Sequence, residues 1–239
     1  MTEILKISGL IGGYIPGVNI LHGIDLELHQ GESVGIIGLN GSGKSTLGKA
    51  IMNMIPYREG EVVFEGNSIT HLSTSELAQH GISIMQQGGQ VFRELSVWDN
   101  LQLSFGNYKN NAYISELKSI IPILGVPNKF LKARMADKLS GGQRHQLALA
   151  MALARKPKLL ILDEPSAGLS PRSVEEMYGI LEVIRSEMKV TVILIEQNIS
   201  KAIGYCDCCL LLGQGGIASK FMDKDINEIE YIMFKSKKT

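Results

Sequence analysis

Nine consecutive residues, Gly38-Leu39-Asn40-Gly41-Ser42-Gly43-Lys44-Ser45-Thr46, crowd glycines, hydroxyls and one lysine into a single turn. Such glycines let backbone N–H groups converge on phosphate oxygens, and a helix beginning near Lys44 would add its positive N-terminal end. Lys44 would then bridge the β and γ phosphates, and the Ser45 hydroxyl suits Mg²⁺, which prefers oxygen ligands. A second candidate is Leu159-Leu160-Ile161-Leu162-Asp163-Glu164, where four apolar residues deliver two carboxylates to a strand end. Asp163 could hold the magnesium directly or through water, and Glu164 could polarise a water for attack on the γ phosphate. Taken alone, the pair reads equally well as a helix N-cap and its neighbour; beside the glycine turn, the chemical reading prevails. The third candidate, Leu139-Ser140-Gly141-Gly142-Gln143, opens a segment whose apolar positions Leu147, Ala150, Met151 and Ala154 recur at helical spacing. That makes it a second helix start able to meet an anion.

The elements that must carry these residues follow from the hydrophobic pattern. Ser33–Ile37 reads as a buried strand punctuated by Gly38, with a helix expected from Lys44 to Met54. Further strands are expected over Ile4–Ser8, Gly60–Phe64, Ile82–Met85, Leu159–Leu162, Thr191–Ile195 and Cys208–Leu212, most of the later gaps being helix-sized. Short strands alternating with helices predict an α/β fold with a mainly parallel sheet. From Leu95 to about Leu139 no strand pattern occurs, and an inserted helical subdomain is expected there.

With 239 residues, 44% hydrophobic and 20% charged, the chain is expected to fold as one domain carrying that insert, with a core over residues 1–87 and 140–239 and helices over about 88–139. Lys plus Arg and Asp plus Glu each number 24, so the basic excess of a dedicated nucleic-acid binder is missing and no nucleic-acid partner is expected. No apolar run is long enough to span a bilayer, and residues 1–9 do not read as a secretory signal, so a cytoplasmic location is expected. Cys206, Cys208 and Cys209 are too few and too crowded for a disulfide framework and are expected to pack in or beside a strand; the five histidines form no ligand pattern.

Together the three motifs resemble the nucleotide-binding subunits of ABC transporters, and the resemblance covers nearly the whole chain. It implies a P-loop cassette with a mainly parallel core sheet, an N-terminal antiparallel β region and an inserted helical subdomain. It also implies ATP and Mg²⁺ as ligands, with ATP held at Gly38 to Thr46 and magnesium at Ser45, Gln87 and Asp163. Glu164 would be the catalytic carboxylate. Ser140, Gly141, Gly142 and Gln143 would serve the ATP of a second ATPase subunit, identical or different, in a head-to-tail pair. By the same resemblance Tyr14 looks like the residue that stacks on adenine. Gln87 looks like the glutamine that senses magnesium and links core to helical subdomain, although Gln86 beside it competes for the assignment. Two departures stand out. Ser170, in Gly168-Leu169-Ser170-Pro171, replaces the family's usual aspartate, and Gln197, in Glu196-Gln197-Asn198, replaces the switch histidine. A glutamine can donate and accept hydrogen bonds but cannot become a cation or shuttle a proton at neutral pH. The Gly-Leu-Ser-Pro and Glu-Gln-Asn segments look like those of the ATPase subunits of branched-chain amino acid and amide importers. Expected partners are transmembrane permease subunits, with the chain peripheral on the inner face of the cell membrane; an exporter subunit and a non-transport ATPase are the alternatives.

Overall fold

The computed structural model describes residues 2–105, 134–221 and 229. The chain begins with an antiparallel sheet of order β2-β1-β4-β5, built from β1 (Glu3–Gly13), β2 (Leu21–His29), β4 (Tyr57–Phe64) and β5 (Asn67–Ser68). β2 alternates buried and exposed residues along Ile24, Asp25, Leu26, Glu27 and Leu28, as a strand with one wet face must. The second sheet has the order β10-β9-β3-β8-β7-β6. Its members are β3 (Ser33–Ile37), β6 (Ile82–Met85), β7 (Leu159–Asp163), β8 (Thr191–Glu196), β9 (Cys208–Gly213) and β10 (Gly216–Phe221). All neighbours are parallel except β10, which runs antiparallel to β9. Strands β3, β7 and β8 are buried at every position, the pattern of a parallel strand covered on both faces.

Helices cover those faces: α1 (Lys44–Ile51), α2 (Thr74–Gln79), α3 (Val97–Phe105), α4 (Gly141–Leu153), α5 (Pro171–Val183) and α6 (Ile199–Tyr205). Period-two alternation splits the core accordingly. Leu160, Leu162, Val192 and Leu194 pack with Leu147, Leu149, Met177 and Leu181 of α4 and α5. Ile161, Ile193 and Ile195 pack with Leu47, Ala50 and Ile51 of α1 on the other face. Gly48 lets α1 sit close, since a Cβ there would lie 2.9 Å from Ile195 Cδ1.

The α1 helix is shorter than the expected Lys44–Met54. It ends at Ile51 because Asn53 adopts the left-handed conformation (φ 51°), with its N–H on the Ala50 carbonyl and that of Met54 on the Lys49 carbonyl. This closure satisfies the last carbonyls and stops the helix. β2 and β10 extend the sheets beyond the strands expected from apolar runs. Cys206, Cys208 and Cys209 are buried thiols outside any disulfide, the last two within β9. Residues 106–133 of the expected helical insert over 88–139, and the lysines at 235, 237 and 238, lie outside the described residues; its described parts, 88–105 and 134–139, hold α3 and a 3-10 turn at Ala136–Lys138.

Candidate functional site

Four neighbouring strands of the parallel sheet release their chains at the same edge. Gly38 follows β3, Gln87 lies two residues past β6, Glu164 follows β7 and Gln197 follows β8. The carboxyl ends of parallel strands are where α/β proteins assemble ligand sites. Here they enclose a cleft of about 370 Å³ lined by Asn40, Gly41, Gly43, Lys44, Ser45, Thr46, Gln87, Glu164 and Gln197, together with Ile20. Ile20 was not among the residues the motifs single out.

The glycine turn is shaped for an anion. Gly41 (φ 81°) and Gly43 (φ 99°) adopt conformations that favour glycine, and no side chain caps the start of α1. The first N–H groups of the helix therefore face the cleft without a side-chain acceptor. Ser42 Oγ is buried without a hydrogen-bond partner and lies outside the cleft lining. Lys44 is only 4% exposed and folds back on its own loop, donating to the carbonyls of Gly38 (2.9 Å) and Leu39 (3.0 Å). Burial pushes its pKa down, against the opposing pull of Glu164, Asp163 and Glu196.

Asp163 sits on the α1 face of β7, where Ser45 Oγ donates to its Oδ1 at 2.7 Å. Burial raises the Asp163 pKa, while Ser45, Lys49 and Lys44 lower it. A hydroxyl and a carboxylate in contact form the hard oxygen set that Mg²⁺ prefers, so Ser45 and Asp163 fit the ion and could hold it. When bound, the ion would neutralise charge on the phosphate oxygens. Glu164 takes a left-handed conformation (φ 47°), and Gln87 Nε2 donates to its Oε2 at 2.6 Å. Burial raises the Glu164 pKa, Lys44 lowers it, and Asp163 and Glu196 raise it further. A carboxylate of raised basicity beside the phosphate turn suits a general base. Gln87 faces this cleft, whereas Gln86 lines a separate depression with Ser104, Met151 and Arg155.

The other sequence candidates lie outside the cleft lining. Tyr14, 44% exposed, follows β1 in a hairpin tip closed by pairing of Ile15 with Val18, and Lys49 Nζ lies 5.9 Å from its ring centroid. Ser140 caps α4: its hydroxyl accepts from Gln143 N–H at 3.2 Å, and Gln143 Oε1 accepts from Ser140 N–H at 3.1 Å. Gly142 permits close packing of this tip on α5, as a Cβ would come within 2.8 Å of Ser173 Oγ. Ser170, the departure in the loop after β7, caps α5 by accepting from Ser173 N–H at 3.3 Å.

Two further buried residues contact loops beside the site. Glu196 is a buried carboxylate at the end of β8, and His145 is buried in α4 against Gly89, two residues beyond Gln87. His145 Nδ1 lies 3.0 Å from the Gly141 carbonyl oxygen, and its Nε2 has no partner. Glu196 could have been suspected from the sequence as a charge closing an apolar strand. Nothing in the sequence signals the contact between His145 and Gly89.

A phosphate turn on a helix start, two carboxylates at the end of the next strand but one and a glutamine after each strand beside that pair define a nucleoside-triphosphate-binding cassette. The family model for ABC transporters matches residues 21–167. The probable branched-chain amino acid transport ATP-binding protein LivF of Archaeoglobus fulgidus is 34% identical over 214 residues, covering 90% of each chain. The lipopolysaccharide export system ATP-binding protein LptB of Escherichia coli K12 is 30% identical over 224 residues, again covering 90% of each. The ADP conformation of MJ1267, an ATP-binding cassette of an ABC transporter, superimposes with a TM-score of 0.84 at 26% identity, covering 99% of this chain and 97% of that one. The chain belongs to the ABC transporter family and is an ATP-binding, ATP-hydrolysing subunit of a transporter. Among the described residues no helix is long and apolar enough to cross a membrane.

Proposed function

We propose that this ATPase powers an importer of branched-chain amino acids or related small solutes, docked on transmembrane permease subunits at the inner face of the cell membrane. The observation that carries the mechanism is the separation of the two glycine-rich helix starts. One lies in the cleft with Glu164 and Gln197, and the other, at Ser140–Gln143, is outside its lining. In our reading the second start serves the nucleotide of a second ATPase subunit, so ATP, with magnesium at Ser45 and Asp163, draws two cassettes together head to tail. Tyr14 stacks on the adenine. Lys44 leaves its loop carbonyls for the β and γ phosphates, and Gln87 releases Glu164, which accepts a proton from the attacking water. Gln197 offers a neutral hydrogen bond to the γ phosphate. Loss of that phosphate then loosens the pair, and the motion passes to the permease.

The import reading draws on the 34% identity to LivF and on Glu196-Gln197-Asn198. An export reading draws on the 30% identity to LptB. The Glu164→Gln variant, given ATP, magnesium and its partner subunit, should elute as a stable dimer on size exclusion. A monomer under those conditions would overturn the head-to-tail mechanism. Identification of the permease recovered from solubilised membranes separates import from export.

A further inference from the structure

Along β8, Val192 and Leu194 face α4 and α5 while Ile193 and Ile195 face α1. The same alternation carries Glu196 to the α5 side, where it is 3% exposed. A carboxylate at such a position is costly unless its oxygens are fully hydrogen-bonded. Both are. Ser166 Oγ (2.7 Å) and Tyr178 Oη (2.9 Å) donate to Oε1, while the N–H groups of Gln197 (3.0 Å) and Asn198 (3.3 Å) donate to Oε2. These donors come from three places: the loop after β7, helix α5 and the loop after β8. Burial and the Glu196 charge raise the Tyr178 pKa, which keeps that hydroxyl a donor. Tyr178 is itself held by an edge contact with Tyr205, ring centroids 6.3 Å apart, and by Lys201 Nζ at 5.3 Å from its ring.

An apolar side chain of similar volume would serve the core as well or better. What the carboxylate adds is a joint. Ser166 stands two residues after Glu164, and Gln197 is the next residue after Glu196, so one buried side chain ties together the two loops that flank the γ-phosphate position. We propose that Glu196 is a positioning residue that locks the Ser166 loop to the Gln197 loop, so that Glu164 and Gln197 are presented to the γ phosphate in one fixed register. This rests on the roles given to Glu164 and Gln197 above; Glu196 itself touches no substrate.

Steady-state ATP hydrolysis and ADP binding by purified protein test it, with Glu164→Gln as the blank. Glu196→Gln keeps the shape of the side chain and removes its charge, and Tyr178→Phe deletes one donor while keeping the ring. We expect kcat to fall about tenfold in Glu196→Gln and about threefold in Tyr178→Phe, with KM for ATP and the ADP dissociation constant within about twofold of the parent. Should Glu196→Gln not fold, Tyr178→Phe decides by the same criteria. A kcat within about twofold of the parent in the folded variants, beside an inactive Glu164→Gln, overturns the positioning role alone. So does a loss of nucleotide binding in proportion to kcat, which would mark Glu196 as scaffold. If Glu164→Gln hydrolyses ATP at the parent rate, the reading of the site fails and takes this proposal with it.

Discussion

The two glycine-rich helix starts look alike in sequence and differ in how their backbone donors are used. At α1 the capping residue is Gly43, which has no side chain to offer, so the start of the helix is left open toward the cleft. At α4, Ser140 and Gln143 answer each other's N–H groups, and the tip is complete without a ligand apart from the N–H groups of the two glycines. The first start is therefore open, its lysine parked on its own loop carbonyls. The second is stable and waiting, which suits a surface that meets nucleotide only when another subunit brings it.

The sharpest way to break this contrast is Lys44→Ala. Removing the cation proposed to meet the phosphates should lower ATP affinity and turnover by about a hundredfold or more. It also removes a buried charge that burial disfavours but two loop carbonyls and three carboxylates hold, so these opposing changes should leave the thermal midpoint little altered. Calorimetric binding and thermal unfolding on the same sample check both halves. A large fall in midpoint would mean that Lys44 is there for the fold and not for a ligand.

The loop bearing Gln87 and helix α4 touch through Gly89 and His145. Gly89 has φ 58°, and a Cβ there would approach His145 Nδ1 at 2.8 Å and Cγ at 2.9 Å. Gly89→Ala should cost about 2 kcal/mol of stability from the left-handed conformation and the overlap together. Adding His145→Ala should return part of it, since the ring atoms go while the backbone contact at 3.0 Å stays. Denaturant titration of the single and double variants measures the recovery. Purely additive costs would show that the loop bearing Gln87 and helix α4 are energetically independent.

A milder change sharpens the contrast. Ser140→Ala should cost about 1 kcal/mol in stability by removing the cap. It should leave nucleotide binding to the isolated chain unchanged while weakening ATP-driven pairing about tenfold. Sedimentation with and without ATP reads the pairing. If Ser140→Ala weakens nucleotide binding by the single chain, the α4 tip serves its own cleft and the division of labour fails.

The open start and the carboxylate pair were legible in the sequence because their chemistry demands particular residue types at fixed spacing. The strands carrying them were legible because a strand buried on both faces is a continuous apolar run, as in Leu159–Leu162. β2 escaped a search for such runs, although Ile24, Leu26 and Leu28 alternate with Asp25 and Glu27 as a half-exposed strand should. The end of α1 was also readable, since asparagine commonly takes the left-handed position that closes a helix. Glu196 could not be placed from the sequence, because its cost is met by Tyr178 and Ser166, and only the packing of α5 on β8 brings those together. The joining of Gly89 to His145, 56 residues further along the chain, has no local signal at all.

Arg134 gives the finest test of how self-sufficient the α4 tip is. Its Nη2 reaches the Lys138 carbonyl at 3.4 Å and Gln143 Oε1 at 3.3 Å, both long for good hydrogen bonds. Gln143 Oε1 already accepts from Ser140 N–H, so the arginine adds a second donor to an oxygen that is satisfied without it. Arg134→Ala should therefore cost about 0.5 kcal/mol or less, well below Ser140→Ala, and denaturant unfolding of the two variants side by side makes the comparison. Equal costs would mean that the reciprocal cap does not stand by itself and that the arginine holds Gln143 in place. The tip would then depend on the segment leading into it, whereas the start of α1 owes nothing to a side-chain cap.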